Sequence, residues 1–356
     1  MLSFNEIFVD STKYCTKIKT DEYHETGKNI IVDQGQNEIA GYTDLEDGLF
    51  SDVPAIIFGD HTRIIKYVDK PFFIGADGVK VLKSKYEKTN YKYLYYALKN
   101  VKIPNTGYNR HFKWLKEAKI NYPEISIQKE IVSTLDLLQS IITHRRTQLE
   151  KLDLLVKARF VEMFENIENM CTIADVCSII TDGTHQPPKF TTDGIPFLFV
   201  SNIATNEIMY NAEKFISEET YNDLYKRTPI EIGDIILSTV GSYGHPAIVK
   251  TNKKFLFQRH IAYLKPIPTT INSIYLHRAI LSDNIQRQID ERVKGIAQKT
   301  LNLSEIRKIV IPAPPLELQT QFADFVKQVD KSKFAIQKEL EKAQMLFDSM
   351  MQEYFG

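Results

Sequence analysis

The sequence predicts an α+β protein. Two mixed α/β globular domains are separated by two long helices paired as an antiparallel coiled coil, and a pseudo-two-fold axis relates the halves. Three observations lead there. Residues 107–164 and 295–355 align end to end: Gly107 with Gly295, Phe112-x-Trp114 with Leu301-x-Leu303, Pro123 with Pro312, Gln128 with Gln319, Leu149-Glu150-Lys151 with Leu340-Glu341-Lys342, and Phe164 with Phe355. This alignment needs a two-residue gap between Pro123 and Gln128, where "PEISIQ" stands against "PAPPLELQ". Each copy ends in a heptad-patterned run, and each is preceded by short apolar runs broken by turns. A repeat of roughly 190 residues is too long for a solenoid. One unit, a globular part followed by a long helix, therefore occurs twice in a chain of 356 residues, a length that suits two domains.

Four segments follow. Residues 1–122 form the first globular domain, with β-like runs "NIIVDQG", "VPAIIFG", "RIIKYVD", "PFFIG" and "GVKVLKS" and then a helical "YKYLYYALKN". Residues 123–166 are one long helix, whose seam from Ile131 steps through Leu135, Leu138, Ile142, Arg145, Leu149, Leu152, Val156, Arg159 and Met163 by alternating fours and threes. Residues 167–313 repeat the β-rich pattern in "IPFLFVSNI", "GDIILSTVG", "HPAIVKTN" and "FLFQRHIAYLKP", followed by a helix "SIYLHRAILSDNIQRQIDER". Residues 314–356 are the second long helix, opened by Pro314-Pro315. Its seam is Phe322, Val326, Val329, Lys333, Ile336, Leu340, Ala343, Phe347, Met350 and Tyr354. The seams share a register but not their polar positions: Arg145 stands against Ile336 and Lys333 against Ile142. Such residues either fix register and partner or snorkel out of the seam. A helix of this length reaches roughly 60 Å, too far to bury its stripe in one small domain, so its own repeat is the nearest partner.

Composition excludes several classes. Hydrophobic content of 43% and charged content of 25% are those of a globular protein. No apolar run approaches a membrane span, and the N-terminal "MLSFNEIFVDSTKY" lacks a basic stretch with an apolar core behind it. The three cysteines, Cys15, Cys171 and Cys177, form no ligand or disulfide pattern. Formal net charge is zero, so a nucleic-acid surface would need its Lys and Arg gathered on one face. Motifs for nucleotide hydrolysis, dinucleotide binding, zinc hydrolysis and nucleophilic serine chemistry are missing, and "QPPKF" at 186–190 lacks the amide or acid of an amino-methyltransferase cluster. Asp52, Asp60 and Lys66 lie near strands in the loose manner of a metal-dependent nuclease, a pattern that chance also produces.

Candidate contact residues sit in polar, glycine-bearing turns. In the first half these are Gln34, Gln36, Tyr42, Thr43, His61, Thr62, Arg63 and Lys66; in the second, Thr184, His185, Lys189, Ser201, Asn202, Thr239, Ser242, Tyr243, Gln258 and Arg259. Amide, hydroxyl and cationic side chains are those that bond base edges and phosphates, and glycine lets the backbone approach a ligand. Ordinary β-turns use the same residues, and only recurrence in both halves favours a surface. His61 and His185 have no second metal ligand at fixed spacing, which leaves a DNA contact or a local turn bond. Tyr108, Arg110 and His111 in one copy and Gln298 and Lys299 in the other precede the long helices, as a loop touching the DNA backbone or as a helix-capping turn.

With these residues assembled, the chain resembles the specificity (S) subunit of type I restriction–modification enzymes over nearly its full length. "IIVDQGQNEIAGYTD" with "VPAIIFGDHTRIIKYVDKPFFIGADGVKVL" is similar to one target-recognition domain of that family. "IEIGDIILSTVGSYGHPAIV" with "FLFQRHIAYLKP" is similar to another, and "IPAPPLELQ" leading into a long helix resembles the family's spacer boundary. The resemblance implies that the domains read the halves of a split site in double-stranded DNA while the helices set the unread spacer. It implies two methyltransferase (modification) subunits and restriction/translocase subunits as partners. S-adenosylmethionine, ATP and Mg²⁺ would serve those partners, with no cofactor, metal or catalytic residue in this chain and a cytoplasmic, nucleoid-associated place of work. The family pattern departs at the abrupt start "MLSFNEIF", which lacks an extended basic tail. Two further readings stay open: a self-sufficient restriction component with a hidden metal-dependent nuclease, and a coiled-coil scaffold that binds no DNA.

Overall fold

A computed structural model describes residues 1–75, 77–295 and 299–356. The two long helices are Ile125–Phe164 and Leu316–Phe355, 40 residues each. The chain divides into two compact units, one of Met1–Thr147 with Gln337–Gly356 and one of Gln148–Ile336. Each unit thus takes half of each long helix as part of its own core, instead of ending where the helix begins, as the boundaries at 122/123 and 313/314 expected.

The units share one plan. In the first, a four-stranded antiparallel sheet is ordered Phe8–Asp10, Val79–Ser84, Ala55–Gly59, Ile65–Val68. Beside it lie Gly41–Thr43, Asn29–Val32 and Phe72–Ile74, the last two parallel. In the second, the same orders recur as Cys177–Asp182, Ile261–Pro266, Ile235–Ser238, Pro246–Ile248 and as Phe215–Ile216, Ile195–Leu198, Leu256–Phe257. The run "AIIFG" is apolar throughout because its strand is buried on both faces. Ile56 and Phe58 pack with the long helices, and Ala55 and Ile57 pack with Val32, Phe72 and Ile74 of the smaller sheet, as the two-residue alternation of a strand requires. Ile235 and Leu237 against Ile236 repeat the division.

The helix seam departs from strict heptads at one end. Leu135, Leu138, Ile142 and Val156 are buried as expected, but then Phe160 and Phe164 take over from Arg159 and Met163. The seam follows the larger apolar area. Arg159 turns out and pairs with Glu162 of its own helix at 2.8 Å. Phe160 and Phe164 interlock with Tyr275 and Phe322 at ring-centroid distances of 4.8–5.8 Å. Within the second unit Lys333 also reaches Asp153 at 2.7 Å. Contacts 164 to 322 and 153 to 333 run in opposite senses, so the helices are antiparallel there. Within the first unit Arg145 reaches Glu339 at 2.7 Å. Arg145 and Lys333 therefore each find an acid on the facing helix. At half-exposed positions such pairs add about 0.2–1 kcal/mol and chiefly fix the register.

A matched clamp ties each helix to its head. The Gln128 side chain accepts from Asn90 N (3.0 Å) and donates to Pro123 O (2.9 Å). That of Gln319 accepts from Asn272 N (2.8 Å) and donates to Pro314 O (2.9 Å). Asn90 and Asn272 in turn cap the helices Tyr91–Lys99 and Ser273–Ile280 through their own side chains. Tyr93 and Tyr275 of those helices donate to Asn121 O and Pro312 O, both at 2.8 Å. The clamp corrects the sequence alignment. Pro123 matches Pro314, not Pro312, without a gap, and the short helix Phe112–Leu115 matches Leu303–Ile306. Prolines two residues apart in "PAPP" made the shifted pairing attractive in sequence. The helical run "SIYLHRAILSDNIQRQIDER" is also two helices, Ser273–Ile280 and Asp283–Arg292, broken at the N-cap Ser282.

Candidate nucleic-acid interface

The polar turns gather at one set of strand ends in each unit. In the first, Gln34 follows Asn29–Val32, Asp60-His61-Thr62 follow Ala55–Gly59, Asp77-Gly78 connect Phe72–Ile74 to Val79–Ser84, and Tyr108 and Arg110 precede the helix Phe112–Leu115. Gln34 binds these loops together. Its amide donates to Asp77 O (3.0 Å), its side-chain oxygen accepts from His61 N (3.2 Å), and its backbone oxygen accepts from Thr62 Oγ1 (2.6 Å). Gly78 has φ +90°, and a Cβ there would meet His61 and the Gln34 amide within 3 Å, so only glycine fits this crossing. Lys17 pairs with Asp77 at 2.6 Å, and that bond holds the Asp77 carboxyl below its ordinary range. Nothing in the sequence pattern marks Lys17, which reaches the cluster because its segment pairs beside Ile74 in a parallel bridge.

At the corner of this surface the His61 and Tyr108 rings stack, centroids 4.7 Å apart and planes 8° from parallel. Tyr108 is 87% exposed. Arg63 (φ +63°) holds its side chain back on Ile103 O at 3.5 Å, while Thr62 and Arg110 are exposed. Gln36 is exposed and Tyr42 half-buried, on the loop and edge strand of the smaller sheet, away from the Gln34 cluster's bonds.

The second unit builds the matching ends differently. Thr184 N donates to Phe257 O and Arg259 N to Thr184 O. Thr184 and Gln258 are joined by a parallel bridge. Asp182 receives both His185 (2.9 Å) and Arg227 (2.6 Å), so Arg227, which sequence reasoning did not select, belongs with His185. Tyr243 donates to Asp290 at 2.9 Å, a bond that raises its phenol pKa, and the Lys299 ammonium lies 6.0 Å over the Tyr243 ring. Lys189, Ser201, Ser242 and Arg259 are exposed. Gln298 lies outside the described residues.

Five selected residues are corrected to structural roles because they face inward. Thr43 accepts from Leu45 N. Lys66 donates to Asn37 O (2.5 Å) and pairs with Asp33 (3.4 Å), its ammonium pKa lowered by burial against the pull of that acid. His111 caps the short helix, with Nδ1 3.0 Å from Asp60 O. Asn202 bonds Phe199 N and Met209 O. Thr239 bonds His260 O and Leu301 N through its backbone. The acids and lysine of the loose nuclease pattern also separate: Asp60 accepts from Phe112 N (2.7 Å), Asp52 pairs with Lys83 (2.7 Å), and Lys66 takes Asp33.

The family model for the type I restriction modification DNA specificity domain matches this chain twice, over residues 5–152 and 166–344. The chain belongs to that family. Among specificity subunits it is 30% identical over 162 residues to that of type I restriction enzyme EcoBI from Escherichia coli, covering 45% of this chain and 34% of that protein. It is 24% identical over 351 residues to that of EcoR124I/EcoR124II from Escherichia coli, covering 90% and 83%. A crystal structure of a type I restriction–modification S subunit from M. genitalium superposes with TM-score 0.64 at 16% identity, over 99% of this chain and 95% of that one, which establishes the shared fold. Each specificity-domain match covers one globular part and most of the long helix that follows it. No helix among the described residues is long and apolar enough to cross a membrane.

Proposed function

We propose that this chain is the sequence-specific DNA-recognition subunit of a type I restriction–modification complex. It reads a two-part, asymmetric site, one half by the loop ends of each unit, and leaves an unread spacer whose length the paired helices set. One observation carries this reading. The frame is duplicated down to single hydrogen bonds, at Gln128/Gln319, Asn90/Asn272 and Tyr93/Tyr275, whereas the loop ends it holds up carry different chemistry. A common frame with different reading loops suits a site whose halves differ in sequence. Base-edge contacts give such a site its sequence, and joining two modest interfaces by a stiff connection multiplies their selectivity only when both half-sites fall at the required distance.

The chain makes no bond itself in this reading. Two methyltransferase subunits dock on it and use S-adenosylmethionine, and restriction/translocase subunits use ATP and Mg²⁺, in the cytoplasm and on the nucleoid. The test is methylation by the chain with its methyltransferase subunits on randomised duplexes, read by sequencing. A split sequence with fixed spacer is expected, and no preferred sequence would point to a scaffold. Cleavage of DNA by the chain alone with Mg²⁺ would instead support a hidden nuclease.

A further inference from the structure

We infer that Tyr108, backed by His61, is a stacking wedge that lays its free ring face against a base at an opened step of the half-site read by the first unit. The inference rests on the DNA-reading function above and goes beyond it by naming a contact to a base face instead of a base edge or phosphate. Four observations support it. Tyr108 is 87% exposed, an unusual place for a large ring, yet it is held: its plane lies 8° from that of His61, with centroids 4.7 Å apart. His61 is fixed by its backbone, since His61 N donates to Gln34 Oε1, and its ring lies so close to Gly78 that a Cβ there would meet its Cδ2 at 2.7 Å. The His61 Nδ1 is buried with no hydrogen-bond partner among the described residues, so packing, not polar bonding, positions the ring. The turn that carries Tyr108 is closed by its own bonds, from Gly107 N to Asn105 Oδ1 (3.2 Å) and from the Asn109 amide to Thr106 O, and is tied to the interior by His111 N donating to Asp60 O (2.8 Å).

A two-ring stack with one free face is matched to the flat face of a nucleobase. In an intact duplex those faces are covered by neighbouring pairs, so the ring can be used only where a step opens, as inserted side chains do elsewhere. Arg110, exposed on the same turn, supplies a cation for a flanking phosphate. Among the described residues, the corresponding corner of the second unit has no free ring face of this kind. There Lys299 caps Tyr243, which is itself tied to Asp290, a cationic corner suited to a phosphate.

The test uses the complete complex with its methyltransferase subunits on its selected duplex. Tyr108→Ala should weaken binding about tenfold with an unchanged salt slope, and Tyr108→Phe should retain wild-type affinity. Lys299→Ala should lower affinity and reduce the salt slope by about one. With 2-aminopurine scanned through the half-site, one position should brighten on binding in wild type and Tyr108→Phe but not in Tyr108→Ala. Tyr108 is exposed, so the variants keep the fold, which circular dichroism verifies. Equal losses in Tyr108→Ala and Tyr108→Phe, or a reduced salt slope, would make the residue a polar backbone contact and overturn the wedge. So would an unaltered affinity in Tyr108→Ala. Failure of the wild-type complex to select any sequence would instead remove the DNA-reading function on which the wedge depends.

Discussion

The first unit closes its loop corner with a stack of two rings, His61 on Tyr108, and the second closes the same corner with a lysine over a tyrosine. One layer below, the units are alike to the atom type: a buried glutamine on a long helix accepts from an asparagine N–H and donates to a proline carbonyl. The difference separates two kinds of residue. Those that answer to the protein's own backbone recur in both copies, because the backbone they satisfy is the same. Those that meet something outside are free to differ, and they do.

The comparison can be broken at its frame first. Phe164, buried among Tyr275 and Phe322, and its counterpart Phe355, half-buried beside Tyr93, are matched in sequence but not in burial. Phe164→Ala should cost about 4 kcal/mol, the range for truncating a buried phenylalanine, and Phe355→Ala less than half of that, as measured by chemical denaturation. Equal losses would mean that the difference in burial between the two positions does not set their cost. The clamps come next. Gln128→Leu and Gln319→Leu each leave a half-buried N–H and a carbonyl unpaired, for about 2 kcal/mol apiece. A large effect at one and silence at the other would break the equivalence of the units.

Acid should also tell the units apart. Burial, then the neighbouring Arg278, pushes the His277 imidazole down to about 4, where it bonds Pro246 O at 3.0 Å. The folded pKa lies below the unfolded value, so the unfolded chain binds the extra proton between the two values and stability falls as pH drops from about 6.5 toward 4. Hydrogen exchange in Ile235–Ser238 should report a loss of about 2 kcal/mol at pH 5 relative to pH 8. His277→Gln should remove most of that dependence, and an undiminished dependence would assign it elsewhere. The smallest effects belong to the seam. Arg145→Met and Lys333→Met, each removing one half-exposed ion pair, should each shift stability by under about 1 kcal/mol, and a multi-kcal loss in thermal melts would show that they do more than set register.

Much of the frame was legible in the sequence. Heptad spacing located both helices within a few residues, and apolar runs bounded by glycine and proline located most strands. The misreadings have physical causes. Arg159 fits a strict heptad, but Phe160 and Phe164 bury more apolar area. Prolines two residues apart in "PAPP" hid a match that only the glutamine bond reveals. Short strands such as Phe8–Asp10 and the edge strand Gly41–Thr43 carry too few residues for a pattern. The loop residues were legible as a class but not one by one, because residue type does not say whether a side chain turns outward. His111 and Lys66 look like contact residues and are interior bonds, while Lys17 and Arg227 look ordinary and join the surface.

The proposed function requires one duplicated frame to hold two different readers at a set separation. Removing one heptad from both long helices keeps the seam in register and shortens each by roughly 10 Å, close to the rise of three base pairs. Site selection by the shortened chain with its methyltransferase subunits should return the same two half-sequences with a changed spacer. An unchanged spacer, or altered half-sequences at the parent spacing, would contradict the account.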